Sequence, residues 1–334
     1  MPHPIRPLFA TFVIACSAPA APRVSSPAGA QSGPLGLTYL GVAGWQIEGG
    51  GKVLLADPYL SRPVDPSAPL VPDVAAIAAR TPTRADLVFV GHSHHDHLLD
   101  APSVALRTGA MLLGSASTTR VGRASGLADD HLITVRGGED FEMDGYSIRA
   151  IPSLHSAIGD KHVFGGVIEP DPQLPMPAAG YQEGGTFAYL VRIAGHELLV
   201  LDTANFIERE LAGLHPDIAI IAPGLREHVH DYTCRLLHAI GDPSIVLATH
   251  FDDWTGPAVD APPSPDLVKF GDEIRRCAPR TRFIVPCHFE RIVIGPTQAV
   301  RSRLTGAGGA SRAAQADAAL PRSTSRVGRV GQRP

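Results

Sequence analysis

"FVGHSHHDHLLD", residues 89–100, places four histidines and two aspartates in twelve positions of a chain that has 15 histidines among 334 residues. It grows out of "ADLV" at 85–88, so the apolar run 85–91 reads as a strand buried in a sheet, with the histidines at its end. His92, His94, Asp96 and His97 stand at relative positions 0, 2, 4 and 5, a spacing that can converge on one point from a strand end or tight loop. Imidazoles mixed with a carboxylate suit a borderline divalent ion such as zinc, iron or manganese. The competing reading is a histidine-rich surface loop without order. The strand before the cluster argues against it, because loops held at a sheet edge are where function concentrates.

The rest of the chain supplies that sheet. Short strands are expected at "LTYLG", "GWQIEGG" and "KVLLADPYL", turning at glycines 49–51, then a helix at 74–80. Helices at "APSVALR" and "STTRVGRASG" flank a strand at "AMLLGS", and strands follow at 132–135, 139–143 and 146–152. Residues 158–185, with prolines at 170, 172, 175 and 177, read as a long irregular loop, a lid or substrate wall. A hairpin turning at Ala194-Gly195, strands at "DIAIIAPG" and "SIVLATH", helices near 232–241 and 265–277, and "RFIVPCHFERIVI" complete the order. Grouped strands with interspersed helices and no strict βαβ repeat predict an α+β protein of two mixed sheets with helices outside.

Further ligand candidates close strands: His155 after "YSIRAIPSL", Asp202 after "HELLVL" and His250 after "SIVLAT". Singly, a strand-end histidine is more often a hydrogen-bonded structural residue. Together with "HSHHDH" this set resembles the metallo-β-lactamase superfamily and its HxHxDH signature, over about residues 37–296. The resemblance implies an αββα sandwich with a two-metal site between the sheet edges. Carried over by position, His92, His94 and His155 would hold one metal ion, Asp96, His97 and His250 the second, and Asp202 would bridge them. Asp57, ending "KVLLAD", would support the ligands from behind, the alternative being a turn-forming Asp-Pro. The opening "LTYLGVAGWQIEGGGKVLLADPYL" is similar to the branch holding L-ascorbate-6-phosphate lactonase and the N-acyl-phosphatidylethanolamine phospholipase D-like enzymes. Leu201 stands where many relatives have glycine.

Two adjacent metals, zinc by default with manganese or iron as alternatives, would acidify a bridging water and supply hydroxide as nucleophile. That implies a binuclear hydrolase cleaving an ester, lactone or phosphodiester bond of a small molecule or lipid. Asp96 could orient the water or shuttle a proton. His228 and His230, in "PGLREHVHDYT", are candidates for donating a proton to the leaving group, and His95 is expected to point away from the metals. The alternatives are a lipid phosphodiesterase, a β-lactamase (which the acid bridge at Asp202 disfavours), a non-catalytic metal-binding scaffold, and a diiron redox protein. The redox reading would need an electron-carrier partner or flavin domain for which the chain has no room.

Both ends differ from the middle. "MPHPIRPLFATFVIAC" pairs Arg6 with a short apolar run, as an export signal does, and it is too short to span a bilayer. "VIAC" resembles the bacterial lipobox, which would lipidate Cys16 and attach the protein to a membrane. Cleavage after "AGA" would instead release a soluble periplasmic or secreted protein. Residues 1–36 are thus expected to be signal and Pro/Ala/Ser-rich linker, 37–302 the hydrolase domain, and 303–334 a disordered tail. From residue 301 on there are seven arginines against Asp317, whereas residues 31–300 carry 20 basic and 32 acidic side chains. An acidic body is a poor partner for nucleic acid, where affinity rests on neutralising phosphates. Without a CxxC motif, Cys234, Cys277 and Cys287 suggest neither a zinc ribbon nor a dithiol redox site, and leave a Cys277–Cys287 bridge or free thiols open.

Overall fold

The structure is a computed structural model that describes residues 33–63, 65–158 and 165–296. The expected signal, Cys16 and the basic tail lie outside the described residues. Two seven-stranded sheets take up the alternating apolar runs. The first holds β1 (Leu35–Gly41), β2 (Gly44–Gly49), β3 (Lys52–Ala56), β4 (Leu87–Phe89), β5 (Met111–Gly114) and β6 (Leu132–Thr134) in that order, with β14 (Arg291–Ile294) outside β1. The second runs β13 (Arg282–Ile284), β12 (Ile245–Ala248), β11 (Ile218–Ile221), β10 (His196–Leu201), β9 (Phe187–Ile193), β8 (Tyr146–Pro152) and β7 (Asp140–Met143).

Alternation along the strands decides the layers. Leu37, Tyr39, Trp45 and Phe89 of the first sheet meet Tyr189, Val191, Val200 and Ile220 of the second in one inner core. The opposite face of the first sheet, with Leu55, Val88 and Leu112, is covered by α1 (Val74–Arg80), α3 (Ala101–Thr108) and α4 (Ala116–Ala124). The outer face of the second, with Leu199, Ile221 and Val246, is covered by α6 (Tyr232–Ala239) and α7 (Pro265–Cys277). On α7 the spacing Leu267, Phe270, Ile274 presents one apolar stripe to that sheet, each such side chain contributing about 1.5–3 kcal/mol when fully buried. Ser264 starts the helix by accepting from Leu267 N, and Pro265 sits where its missing N–H costs nothing. This is the expected αββα sandwich. Two four-residue helices, α2 (His95–Leu98) and α5 (Glu208–Leu211), complete the set.

Two details differ from expectation. "RFIVPCHFERIVI" splits between the sheets: β13 pairs parallel with β12, while β14 crosses to pair antiparallel with β1. Leu35 and Gly36, assigned to the linker, already pair with Ile294 and Val293 in that ladder. The cysteines differ as well. Cys234 of α6 and Cys277 of α7 form the disulfide, their Cα atoms 5.1 Å apart, and Cys287 is free and exposed. The reason is helix packing: α6 and α7 lie side by side on the sheet, whereas Cys287 sits past β13 on the way to β14.

In the first sheet β3, β4, β5 and β6 are parallel; in the second, β10, β11, β12 and β13 are parallel. Asp57, the histidine cluster, Asp202 and His250 all stand just beyond the carboxyl ends of such strands.

Candidate metal centre

After β4 the chain is pinned between the sheets. Gly91 N donates to Asp57 Oδ1 at 2.8 Å, and Phe187 N, from the second sheet, donates to Gly91 O at 2.8 Å. A methyl group on Gly91 would fall on the Asp202 carboxylate, so only glycine lets that acid approach. Ser93 turns inward, its Oγ 2.9 Å from both Ser115 Oγ and Thr118 Oγ1, while its N–H donates to Glu183 O at 2.8 Å. With extended backbone here, anchoring Ser93 inward sends His92 and His94 to the opposite side. The chain then enters α2, which carries Asp96 and His97.

These residues meet those of the second sheet in three overlapping groups whose ligand atoms lie within 4.8 Å of one another: His92, His94 and His155; His92, His97 and Asp202; and Asp96, His97 and His250. Asp202 links the outer two, its Oδ2 lying 2.8 Å from His92 Nδ1 and 3.3 Å from His97 Nδ1. His155 Nδ1 lies 2.9 Å from Ser156 O, a contact that requires Nδ1 to carry the proton and leaves Nε2 as the lone-pair atom. His250 has φ +50°, held by its N–H donating to Val42 O, and its Nε2 lies 3.3 Å from Asp96 Oδ2. Asp57 likewise has φ +39°. Left-handed backbone at two non-glycine residues of one site is the local strain that functional sites store. The groups that the resemblance assigned to two ions are thus brought together, with Asp202 between them. Behind His97, Asp57 Oδ1 lies 3.5 Å from Nδ1, the position of a carboxylate that orients a ligand imidazole.

The donor set fits divalent cations. His92 Nε2, His97 Nε2 and Asp202 Oδ1 are buried without a hydrogen-bond partner, although buried polar atoms nearly always have one. Burial, together with the neighbouring His97, His155 and His94, holds His92 well below its ordinary pKa, in the neutral form that ligates metals. Burial also pushes Asp57 well above the usual carboxylate range, and the Asp202 charge adds to it. For Asp96 burial pushes upward too, but His97 and His250 outweigh it and hold the acid well below its ordinary value, ionised. Cations among Asp57, Asp96 and Asp202 would relieve their mutual repulsion.

The centre forms the floor of a cavity of about 550 Å³, to which His94, Asp96, His155, Asp202 and His250 contribute. That volume is in the range of small-molecule sites. Ile158, Ala178 and Ala179 of the long irregular loop form part of its wall, as expected for that segment. His95 belongs to none of the ligand groups, yet it is not idle: its ring packs edge-on against Trp254 and Tyr59, centroids 5.3 and 6.1 Å away, and lines the cavity. His228 and His230 are not brought to the cavity. Both are exposed on the turn after β11, with His228 Nε2 3.8 Å from Glu227 Oε1 and His230 O accepting from Arg235. From that turn Leu225, and not the histidines, reaches the wall, because Arg226 is drawn down to Asp266 and Glu273. Beside the last strand, His288 bonds Asp252 and Asp260. Trp254 and Leu225 were not anticipated; neither carries a local signal, since only the fold brings 254 and 225 beside 94.

Two sheets flanked by helices, with a histidine–aspartate centre at their shared edge, define a metallo-β-lactamase fold. Residues 36–221 match the family described as the Beta-lactamase superfamily domain, and the chain belongs to that superfamily, in its class of metal-dependent hydrolases. A UPF0173 metal-dependent hydrolase of Methanopyrus kandleri is 26% identical over 234 residues, 68% of this chain and 87% of that protein. A second, from Aeropyrum pernix, is 31% identical over 137 residues, 37% of this chain and 52% of that protein, so this match spans about half of its length. Among solved structures, Igni18, a metallo hydrolase from Ignicoccus hospitalis, superposes with a TM-score of 0.54 at 20% identity, covering 78% of this chain and 98% of that one. CmlA, a diiron β-hydroxylase from Streptomyces venezuelae, superposes with a TM-score of 0.52 at 17% identity, covering 79% of this chain and 54% of that one. Such likeness speaks to the fold alone.

Proposed function

We propose that this protein is a binuclear hydrolase that cleaves an ester, lactone or phosphodiester bond of a small molecule in the cavity above His94, Asp96 and Asp202. The observation that carries the reading is a chain of three ligand groups in which the middle one, His92, His97 and Asp202, shares His92 with one neighbour and His97 with the other, which supplies enough donors for two adjacent ions. When bound, such ions acidify water toward neutrality and polarise the bond under attack. His92, His94 and His155 would hold one ion; Asp96, His97 and His250 would hold the other; Asp202 lies between. Zinc is the default for this nitrogen-rich set, and manganese or iron also suits its carboxylates.

The protein's own groups divide the remaining work. Asp96, ionised and at the cavity floor, is placed to accept a proton as water adds to the substrate and to return it to the departing oxygen. In an ester the water oxygen bonds to the acyl carbon, the bond to the alcohol oxygen breaks, and the alcohol leaves with that proton. Asp57, whose Oδ1 lies 3.5 Å from His97 Nδ1, would orient that imidazole as a ligand.

The similarity of the opening strands to lactonases and phospholipase D-like enzymes keeps a lipid phosphodiesterase as the second reading. We further propose that the protein is exported, since the leader-like start and the Cys234–Cys277 bridge both suit an oxidising compartment, with attachment through a lipidated Cys16 on the lipobox reading. No nucleic-acid partner is proposed, given the acidic body. Bis(p-nitrophenyl) phosphate and p-nitrophenyl butyrate, assayed with the full chain and with its Asp202→Ala variant, test the reading. Metal-dependent turnover that falls by at least a hundredfold in the variant is expected; equal turnover by both proteins would refute it.

A further inference from the structure

The walls of the cavity differ from its floor. Trp254, Ile158, Leu225, Ala179, Ala222 and Pro66 make them apolar. Among the described lining residues there is no lysine and no arginine. Two guanidinium groups of neighbouring segments are committed elsewhere. Arg62 donates to Asp252 Oδ2 at 2.9 Å, and Arg226 donates to Asp266 Oδ2 at 2.7 Å and Glu273 Oε2 at 2.9 Å. The hydroxyl groups of the lining are spent as well. Ser67 Oγ donates to Asp65 Oδ1 at 2.6 Å, while Ser156 Oγ and Thr203 Oγ1 bond each other at 2.7 Å. Backbone N–H groups saturate the same pair, Ala204 N donating to Ser156 Oγ and Ser156 N to Thr203 Oγ1.

A substrate whose non-reacting part carried a carboxylate or phosphate would therefore lose its hydration against walls that, among the described residues, offer no cationic group and only the His95 ring beside committed hydroxyls. An apolar group there gains about 25 cal/mol for each Å² removed from water. Ile158 and Leu225 each remain 38% exposed while lining the cavity, so the apolar wall continues outward to the mouth.

We propose that the substrate is a hydrophobic carboxylic ester, open-chain or cyclic, whose uncharged acyl part lies against Trp254, Ile158 and Leu225 while its carbonyl meets the floor. This rests on the hydrolase reading and narrows it, placing the charged small molecules and phosphate compounds outside the preferred class. The specificity-determining residues are those three side chains.

The chain has two tryptophans, and Trp45 is fully buried in the inner core, so ligand entering the cavity is reported by Trp254. The experiment titrates the full-length, metal-loaded protein with linear amides from butanamide to octanamide, following tryptophan fluorescence. The same amides carrying a carboxylate at the far end are titrated alongside. In parallel, kcat/KM is measured for p-nitrophenyl esters of the same chain lengths.

Affinity and kcat/KM should each rise about three- to fourfold per added methylene, the equivalent of about 0.8 kcal/mol. The terminal carboxylate should weaken binding at least tenfold, Trp254→Phe should remove the fluorescence change, and Ile158→Lys should shrink the carboxylate penalty. A flat dependence on chain length, or carboxylates that bind as well as the plain amides, overturns the proposal. Turnover without length dependence overturns it and leaves hydrolysis standing. Length-dependent binding with no turnover of any ester overturns the hydrolase reading and leaves the cavity as a hydrophobic-ligand site.

Discussion

At the scale of the residue, the centre depends on positions that donate nothing to a metal. Gly91 is one, since any side chain there displaces Asp202. Gly91→Ala is expected to leave the protein folded but with at least a tenfold loss of metal affinity, measured by competition with a chromophoric chelator. Asp57 is another. Asp57→Asn keeps an acceptor for Gly91 N but removes the carboxyl group facing His97, and metal affinity should fall 10- to 100-fold, about what loss of an outer-shell carboxylate costs. An unchanged affinity would mean that Asp57 serves the turn alone. The strand-end histidines and aspartates were legible in the sequence because their spacing was local or their strands conspicuous. Gly91's constraint was not, since it comes from Asp202, more than a hundred positions away. His228 and His230 misled for the converse reason. They lie on the right turn, but Arg226 is pulled beneath the turn by α7's acids and they are left facing outward.

Elements set where those residues stand. The turn after β11 is tied to α7 through Arg226, which is buried and paired with Glu273, itself accepting from Thr233 Oγ1 of α6 at 2.6 Å. Burial pushes Glu273 upward, but the bonds from Arg226 and Thr233 outweigh it and hold the acid below its ordinary value. A depressed folded-state pKa gives stability that is fully present above the unfolded value, about 4.3, and is lost as pH falls through the folded one. Urea unfolding from pH 7 to 3 should show Glu273→Gln less stable by about 1.5–3 kcal/mol near neutrality, with the gap closing below about pH 4. A gap independent of pH would show that the carboxylate charge plays no part. The succession of most strands and helices along the chain followed from apolar runs and the turn residues between them. What pattern could not show was that β13 and β14, separated by a short turn, serve different sheets, or that α6 and α7 share the disulfide. Both are facts of packing between distant segments.

Across the whole molecule, the candidate centre joins two sheets whose inner faces meet in an apolar core. His92, His94, Asp96 and His97 come from the first sheet's edge; His155, Asp202 and His250 come from the second. Ions held by both would act as cross-links, stabilising the fold by about 4 kcal/mol per site when free metal stands at a thousand times its dissociation constant. Chelation is therefore expected to lower the melting temperature, and readdition of zinc or manganese to restore it. A melting temperature unaffected by a strong chelator would place metal elsewhere or nowhere. The most direct measurement is elemental analysis of the purified full-length protein after reconstitution, set beside its His94→Ala and His250→Ala variants. The account predicts two divalent ions per chain, and a single ion retained when either variant removes a ligand from one group. No bound ion, or one ion indifferent to both substitutions, would contradict the binuclear centre.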